Sequence, residues 1–341
     1  MNHGGDIYGA AVELDLSVSL NPYPVPEVIG KALEESLKHL REYPDTEQRT
    51  LRKALAEAEG VDVSEIFAGN GASELISAAV GVAAPERVVL AEPGFYGYRH
   101  ALGQLKDCHT GTVSCEGPEA LAEALKAAVE ESGLLCISDP WNPWGENLPE
   151  ELLAEILEKA AGMGRYVLLD ESFYLLSGKA EMKRDTAGLI RRYPGLFIIR
   201  SLTKLFAMPG IRMGYVISSA DSIRNIRRRL PEWNLSVPAM YVMEAAAGVM
   251  KEGSFVRKSL EYIGNEREFL TEELKKRGFA VNDSDTVYLS FRGPGSLYGD
   301  MLGRKVLIRQ IEGVDGDAYY RIGVKKHDEN LRFLGILDEV I

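Results

Sequence analysis

The chain has 341 residues, which is long for one small hydrophobic core and makes two domains the natural expectation. Apolar residues make up 45% and charged residues 26%, the balance of an ordinary globular protein, and a net charge of -12 argues against a nucleic-acid groove or an anionic membrane as partner. Cys108, Cys115 and Cys136 form no CxxC pair and the five histidines show no HExxH spacing, so no metal is expected. The first residues lack the basic and apolar regions of a signal peptide, and no apolar run is long enough to span a bilayer. The expected setting is reducing and cytoplasmic.

Residues 1–25 are rich in Gly and Pro, with His3-Gly4-Gly5 and Asn21-Pro22 among them, and read as an ordered arm rather than a packed element. Pro26 opens a helical stripe that runs to Leu40. Tyr43-Pro44-Asp45 then precedes an amphipathic helix from about Glu47 to Glu59. Glu65 to Asn70 reads as a strand, followed by a helix whose first residues are Gly71, Ala72 and Ser73. Small residues there leave unpaired N–H groups at the positive end of the helix dipole, a ready phosphate site.

Val88 to Pro93 is the next strand and runs into Pro-Gly-Phe95-Tyr96-Gly-Tyr98. A solvated amphipathic helix spans Glu119 to Ser132, and the strand from Leu134 to Pro140 delivers Asp139-Pro-Trp141-Asn142-Pro-Trp144-Gly. The apolar strand from Tyr166 to Phe173 carries Asp170, 34 residues before Lys204. That interval suits one right-handed crossover through the helical stretch near Ala187 to Arg192, which puts both residues at the same carboxyl edge of a parallel sheet.

The segment from Phe197 to Tyr215, FIIRSLTKLFAMPGIRMGY, opens as a buried strand and then places Ser201 and Lys204 in a loop broken by Pro209-Gly210 before Arg212. Leu202, Leu205, Phe206 and Met208 surround the lysine with apolar bulk, which lowers its pKa and makes its amine a usable nucleophile toward a carbonyl. The basic stretch Arg224 to Arg229 is a solvated helix face. Around Pro231 to Pro238 the chain leaves the large domain. Met240, Met243, Ala247 and Met250 then mark a core-facing helix. The last hundred residues read as a small α/β domain, with a helix from about Glu261 to Arg277, strands near Thr286 to Phe291, Val306 to Arg309 and Tyr319 to Gly323, and a helix from His327.

The pattern S-L-T-K followed by P-G-I-R-M-G resembles the lysine segment of pyridoxal 5'-phosphate (PLP) enzymes of the aspartate aminotransferase fold, fold type I. In that family the lysine carries the cofactor covalently, while the serine and arginine bind its phosphate. The resemblance thus assigns these roles to Lys204, Ser201 and Arg212. A guanidinium fork suits a dianionic phosphate because it grips two oxygens at once. The resemblance also implies that Gly71, Ala72 and Ser73 cradle the phosphate, Phe95 stacks on the ring, Asn142 bonds the phenolic oxygen, and Asp170 pairs with the ring nitrogen and makes the ring an electron sink. Trp141 and Trp144 stand where the family pattern has Asn and Thr.

Two branches of the family compete. The His3-Gly4-Gly5 arm, Asn21, Phe173 in place of the usual aminotransferase tyrosine, and Arg309 within V-L-I-R resemble L-threonine-O-3-phosphate decarboxylases of cobalamin biosynthesis. The Tyr43-Pro44-Asp45 motif is shared with histidinol-phosphate aminotransferases, in which the tyrosine reaches the neighbouring subunit's cofactor, so a homodimer with shared active sites is implied. Arg321, in Y-Y-R-I-G-V, matches the arginine that clamps the substrate carboxylate. His3, Asn21 and Arg309 would grip a substrate phosphate. Expected, then, is an α/β fold with a mostly parallel seven-stranded sheet, divided as an arm at 1–40, a large PLP-binding domain at 41–232 and a small domain at 233–341. The expected activity is PLP-dependent decarboxylation of an amino acid phosphate ester, with transamination as the alternative and a non-catalytic PLP-binding regulator as the remote one.

Overall fold

A computed structural model describes residues 4–182, 184–311 and 318–341. The arm is more tightly packed than its glycines and prolines suggested. Leu14 and Leu16 are core residues, and Leu14–Asp15 forms a short strand, β1, parallel to β11 (Val306–Leu307). The apolar side chains hold the arm there, and the hydroxyl of Ser17 fixes its turn by bonding Asp15 Oδ1 at 2.6 Å and receiving the Gly5 amide at 2.8 Å.

The large sheet has seven strands: β2 (Ile66–Asn70), β3 (Arg87–Ala91), β4 (His109–Val113), β5 (Leu134–Ser138), β6 (Tyr166–Asp170), β7 (Leu196–Ser201) and β8 (Met213–Ile217). Their order is β2-β8-β7-β6-β5-β3-β4, and β8 alone runs antiparallel to its neighbours. Their near-continuous apolar runs suit strands covered on both faces. Alternation sorts the side chains into two cores. Leu134, Cys136, Leu168, Phe197, Ile199 and Val216 join one, while Leu135, Ile137, Val167, Leu169, Ile198 and Tyr215 join the other. β4, which flanks the sheet, was not anticipated from the sequence, because HTGTV is half polar and its residues are exposed or half-buried.

The small sheet is antiparallel, in the order β12 (Arg309–Ile311), β13 (Ala318–Gly323), β10 (Tyr288–Gly293), β9 (Ala280–Val281). The expected strand from Val306 to Arg309 divides here, with β11 pairing to the arm and β12 turning into this sheet. The helix from Val237 to Glu252 starts at a Ser236 cap, whose hydroxyl accepts the Ala239 amide at 3.2 Å. It buries Met240, Met243 and Ala247, as their spacing predicted. Among the described residues no helix is long and apolar enough to cross a membrane, and no cluster of His, Cys, Asp and Glu could hold a metal ion.

Candidate active site

Register decides which side chains meet. β5, β6 and β7 are parallel neighbours, with Ser138 opposite Asp170 and Asp170 opposite Ile199, so their carboxyl ends lie at one edge. β8 runs the other way and brings its first residues to that edge, with Gly214 opposite both Ser201 and Gly69. Asn70, Arg212, Ser201, Asp170 and the Asp139–Gly145 loop therefore converge. Open parallel sheets place ligands at such an edge.

The phosphate cradle depends on two glycines. Gly71, at φ 80°, caps the helix Ala72–Ala83, and a Cβ there would lie 2.5 Å from Arg212 Nη2. A Cβ on Gly214 would lie 2.8 Å from the Ala72 nitrogen. Only backbone fits between the helix start and β8, and the guanidinium of Arg212 lies beside Gly71 at the head of the helix. Arg212 itself has φ 63° and is solvent-facing, as is Ser73. A charged fork and a helix N-terminus on one side of a strand edge suit a phosphate dianion.

Lys204 sits in a single helical turn, Leu202–Leu205, rather than in the open loop expected from Pro209-Gly210. Burial pulls its pKa down to about 8, with Arg321 and Arg212 adding repulsion and Asp170 opposing them. Its ammonium lies 5.9 Å from the centre of the Phe173 ring. Roughly a tenth of the amine is thus neutral at pH 7, far more than for an ordinary lysine, as a nucleophile toward an aldehyde requires.

Asp170 is 6% exposed. Burial pushes its pKa up, offset in part by hydrogen bonds from the Ser172 amide at 3.0 Å and the Tyr98 hydroxyl at 2.8 Å. Sequence reasoning gives Tyr98 no role of its own. Its spacing places it three residues beyond Phe95 on the same turn, and the two rings meet edge-on at 5.5 Å. The distinguishing signal is the hydroxyl, since the buried carboxylate needs a donor.

On the facing side, Arg321 Nη1 donates to Asn142 Oδ1 at 2.6 Å, and the guanidinium lies 5.0 Å from the Tyr288 ring centre. Burial, with repulsion from Arg309, lowers the Arg321 pKa to about 10, while Tyr288 opposes this shift. Among the described residues, its Nε is buried without a hydrogen-bond partner. Arg309 is directly opposite Arg321 across β12 and β13. Gly4 of the arm approaches this pair, since a Cβ there would come within 3.5 Å of Arg309 Nη1.

Three expected positions stand apart from this cluster. Asn21 is 4% exposed with its side chain fully engaged. Nδ2 donates to the Leu205 carbonyl at 2.9 Å and to Ser259 at 2.8 Å, and Oδ1 accepts from the Tyr23 amide at 3.0 Å. Its own amide also bonds the Lys204 carbonyl at 3.0 Å, so the geometry gives it the work of holding the lysine turn. Tyr43 is 81% exposed, its ring 4.9 Å from that of Trp233, which is also exposed. His3 lies outside the described residues. Trp141 and Trp144 are both buried, and Trp144 meets Tyr319 edge-on at 5.2 Å, giving the wall beside Asn142 an aromatic lining.

A cradle suited to a dianion, a lysine whose pKa is pulled down and a buried carboxylate share one sheet edge, the arrangement expected of a PLP-dependent enzyme of fold type I. The model of the family described as aminotransferase class I and II matches residues 11–335, and the chain belongs to that family, whose members are PLP-dependent enzymes. It is 31% identical to histidinol-phosphate aminotransferase 2 of Archaeoglobus fulgidus, over 96% of this chain and 93% of that one. It is 28% identical to the threonine-phosphate decarboxylase of Salmonella typhimurium, over 99% and 96%. The solved histidinol-phosphate aminotransferase from Clostridium acetobutylicum superposes with a TM-score of 0.86 at 28% identity, covering 96% of this chain and 98% of that one.

Proposed function

We propose that this enzyme decarboxylates an O-phosphorylated amino acid of the threonine phosphate type. The observation that carries the reading is the pair of facing arginines, Arg321 and Arg309, beneath the arm. A substrate with both a carboxylate and a phosphate offers two anions to two guanidinium groups, and bidentate contacts fix its orientation. Phe173 in place of a tyrosine supports the same branch. Histidinol phosphate has only one anionic group, yet the 31% identity to an enzyme of that name keeps transamination as the second reading.

The residues divide the work by position. Arg212, Ser201 and the amides of Ala72 and Ser73 would hold the phosphate of PLP, Phe95 would cover its ring, Asn142 would bond its phenolic oxygen, and Asp170 would keep a proton on its ring nitrogen. Bound there, PLP would supply an electron sink for the substrate α-carbon. The Lys204 amine would deliver a proton to the substrate α-carbon. Arg309 and Arg321 would orient the substrate by its two anionic groups. We also propose the division into an arm at 1–40, a large domain at 41–232 and a small domain at 233–341, and a cytoplasmic homodimer in which Tyr43 reaches the partner's cofactor.

Purified enzyme given O-phosphothreonine without a keto acid tests the reaction. Release of carbon dioxide and aminopropanol phosphate is the expected result. Turnover only when a keto acid is supplied would leave the transaminase reading in its place.

A further inference from the structure

Where β7 ends, its neighbour β8 loses a strand partner. The pairing runs as far as Ser201 opposite Gly214, and the chain then turns into Leu202–Leu205, so Met213 has no residue of β7 across from it. The hydroxyl of Thr203 takes that place. It donates to the Met213 carbonyl at 3.1 Å and accepts the Met213 amide at 3.3 Å. A hydroxyl can do both because it carries one donor and two acceptor sites. Thr203 is 3% exposed and Met213 is fully buried, so water does not compete for these bonds. Thr203 directly precedes Lys204, and Met213 directly follows Arg212. The far side of the same turn is held by the arm, through the Asn21 amide on the Lys204 carbonyl and the Asn21 side chain on the Leu205 carbonyl.

We propose that Thr203 is a positioning residue that fixes the spacing between the two anchors of the cofactor, the Lys204 amine and the Arg212 guanidinium. The proposal rests on the reading that Lys204 holds the aldehyde end of PLP and Arg212 its phosphate. One rigid molecule must then reach both, and the second attachment adds its full strength only when the first leaves it at the right separation. Neither side chain sets that separation by itself, since the lysine stem is long and unbranched and Arg212 is solvent-facing. The backbone sets it. Residues 205–211 loop out between the two anchors, through Ala207 at φ 49° and on to Arg212 at φ 63°, and the Thr203 hydroxyl closes this loop at its neck. One side chain thus does the work of a strand pair at the point where the chain must leave the sheet to present the lysine.

The test compares the affinity of the full chain, freed of cofactor, for three ligands by absorbance titration. PLP engages both anchors, pyridoxamine 5'-phosphate lacks the aldehyde, and pyridoxal lacks the phosphate. Thr203→Val keeps the branched shape and removes the hydroxyl. It is expected to weaken PLP binding about tenfold, the order of effect of a lost buried hydrogen-bonding group, and to change the other two affinities by less than about twofold. Thr203→Ser keeps the hydroxyl and should bind all three ligands as the wild type does. Thr203→Ala should give the same contrast between ligands if the valine variant does not fold. Equal losses for all three ligands would mark a general loss of structure and overturn the proposal. So would PLP binding that is unchanged in the variants lacking the hydroxyl. Lys204→Ala separates this result from the reading beneath it. If it weakens PLP binding while Thr203→Val does not, the spacing role alone falls. If it leaves PLP binding intact, the assignment of Lys204 falls and the spacing role with it.

Discussion

The ends of β5, β6 and β7 carry two opposed sets of polar residues, one on each face of the sheet. Ser138, Asp170 and Ser201 face the helix Ala72–Ala83 and Tyr98, while their chain neighbours Asp139, Glu171 and Arg200 face the other way. On this second face every charge is matched. Arg200 binds Glu171 at 2.8 Å and Glu59 at 2.6 Å, and Arg184 binds both Glu171 and Asp139. Lys179 lies 3.2 Å from Asp139 and 3.0 Å from Glu150. Although burial pulls Arg200 down, Glu59 and Glu171 together push its pKa above the usual arginine value. On the site face Lys204 and Arg321 shift the opposite way, to about 8 and about 10, with burial as the largest cause in each. Burial is common to both faces. Pairing decides whether a buried charge becomes structural or reactive.

The sharpest way to break that comparison is to remove one member from each face. Lys204→Ala should reduce turnover at least about 10³-fold, as expected when the group that moves the proton is lost. Its melting temperature should stay near that of the wild type, because a buried amine without a matching anion adds little to stability. Steady-state rates and a thermal melt on the same preparations check both halves. A large drop in melting temperature for Lys204→Ala would erase the distinction between the faces.

Glu171→Gln is the counterpart on the far face. It leaves Arg184 and Arg200 short of an anion and should cost roughly 3–5 kcal/mol of folding stability, the range for a buried pair that loses one partner. Urea unfolding monitored by circular dichroism reads that loss. Stability within error of the wild type would show that the network is not holding the strand ends.

Gly71→Ala probes the cradle where the two faces meet the helix. Its Cβ would press on Arg212, and φ 80° is strained for any other residue, so a cost of about 1–3 kcal/mol is expected. The loss should fall on PLP affinity more than on folding, since Arg212 is exposed and can move away from the new methyl group.

Much of this was legible in the sequence because the large domain is local in its logic. Apolar runs ending in Asp170 and Ser201 named the strands, and their spacing fixed the shared edge before any coordinates. Less legible were features set by long-range contact. Asn21 was assigned to substrate, yet its amide is spent on Leu205, Ser259 and Tyr23, partners far apart in sequence or hidden in backbone. Ser138 and Tyr98 look like any buried serine and tyrosine until register sets Ser138 opposite Asp170 and the helix Gly97–Leu102 brings the Tyr98 hydroxyl to its carboxylate. The arm's β1 was missed because two residues paired with a strand almost three hundred positions away carry no periodic signal.

The smallest predicted effect is also the one most specific to unmatched charge. PLP capture by the cofactor-free enzyme requires the neutral amine of Lys204, so the capture rate should rise with pH through about 8. After burial, Arg321 is the strongest influence holding that value down. Arg321→Ala removes a positive charge from beside the ammonium, which makes protonation easier and moves the midpoint of the rate profile to higher pH, toward the ordinary lysine value. Arg212→Ala should move it the same way by less, and Asp170→Asn should move it to lower pH, because a negative charge that favours the ammonium is gone. Stopped-flow absorbance at a series of pH values gives all three midpoints. Unmoved midpoints would mean that the lysine is tuned by burial alone, and the contrast between the two faces of the sheet would then rest on packing rather than on charge.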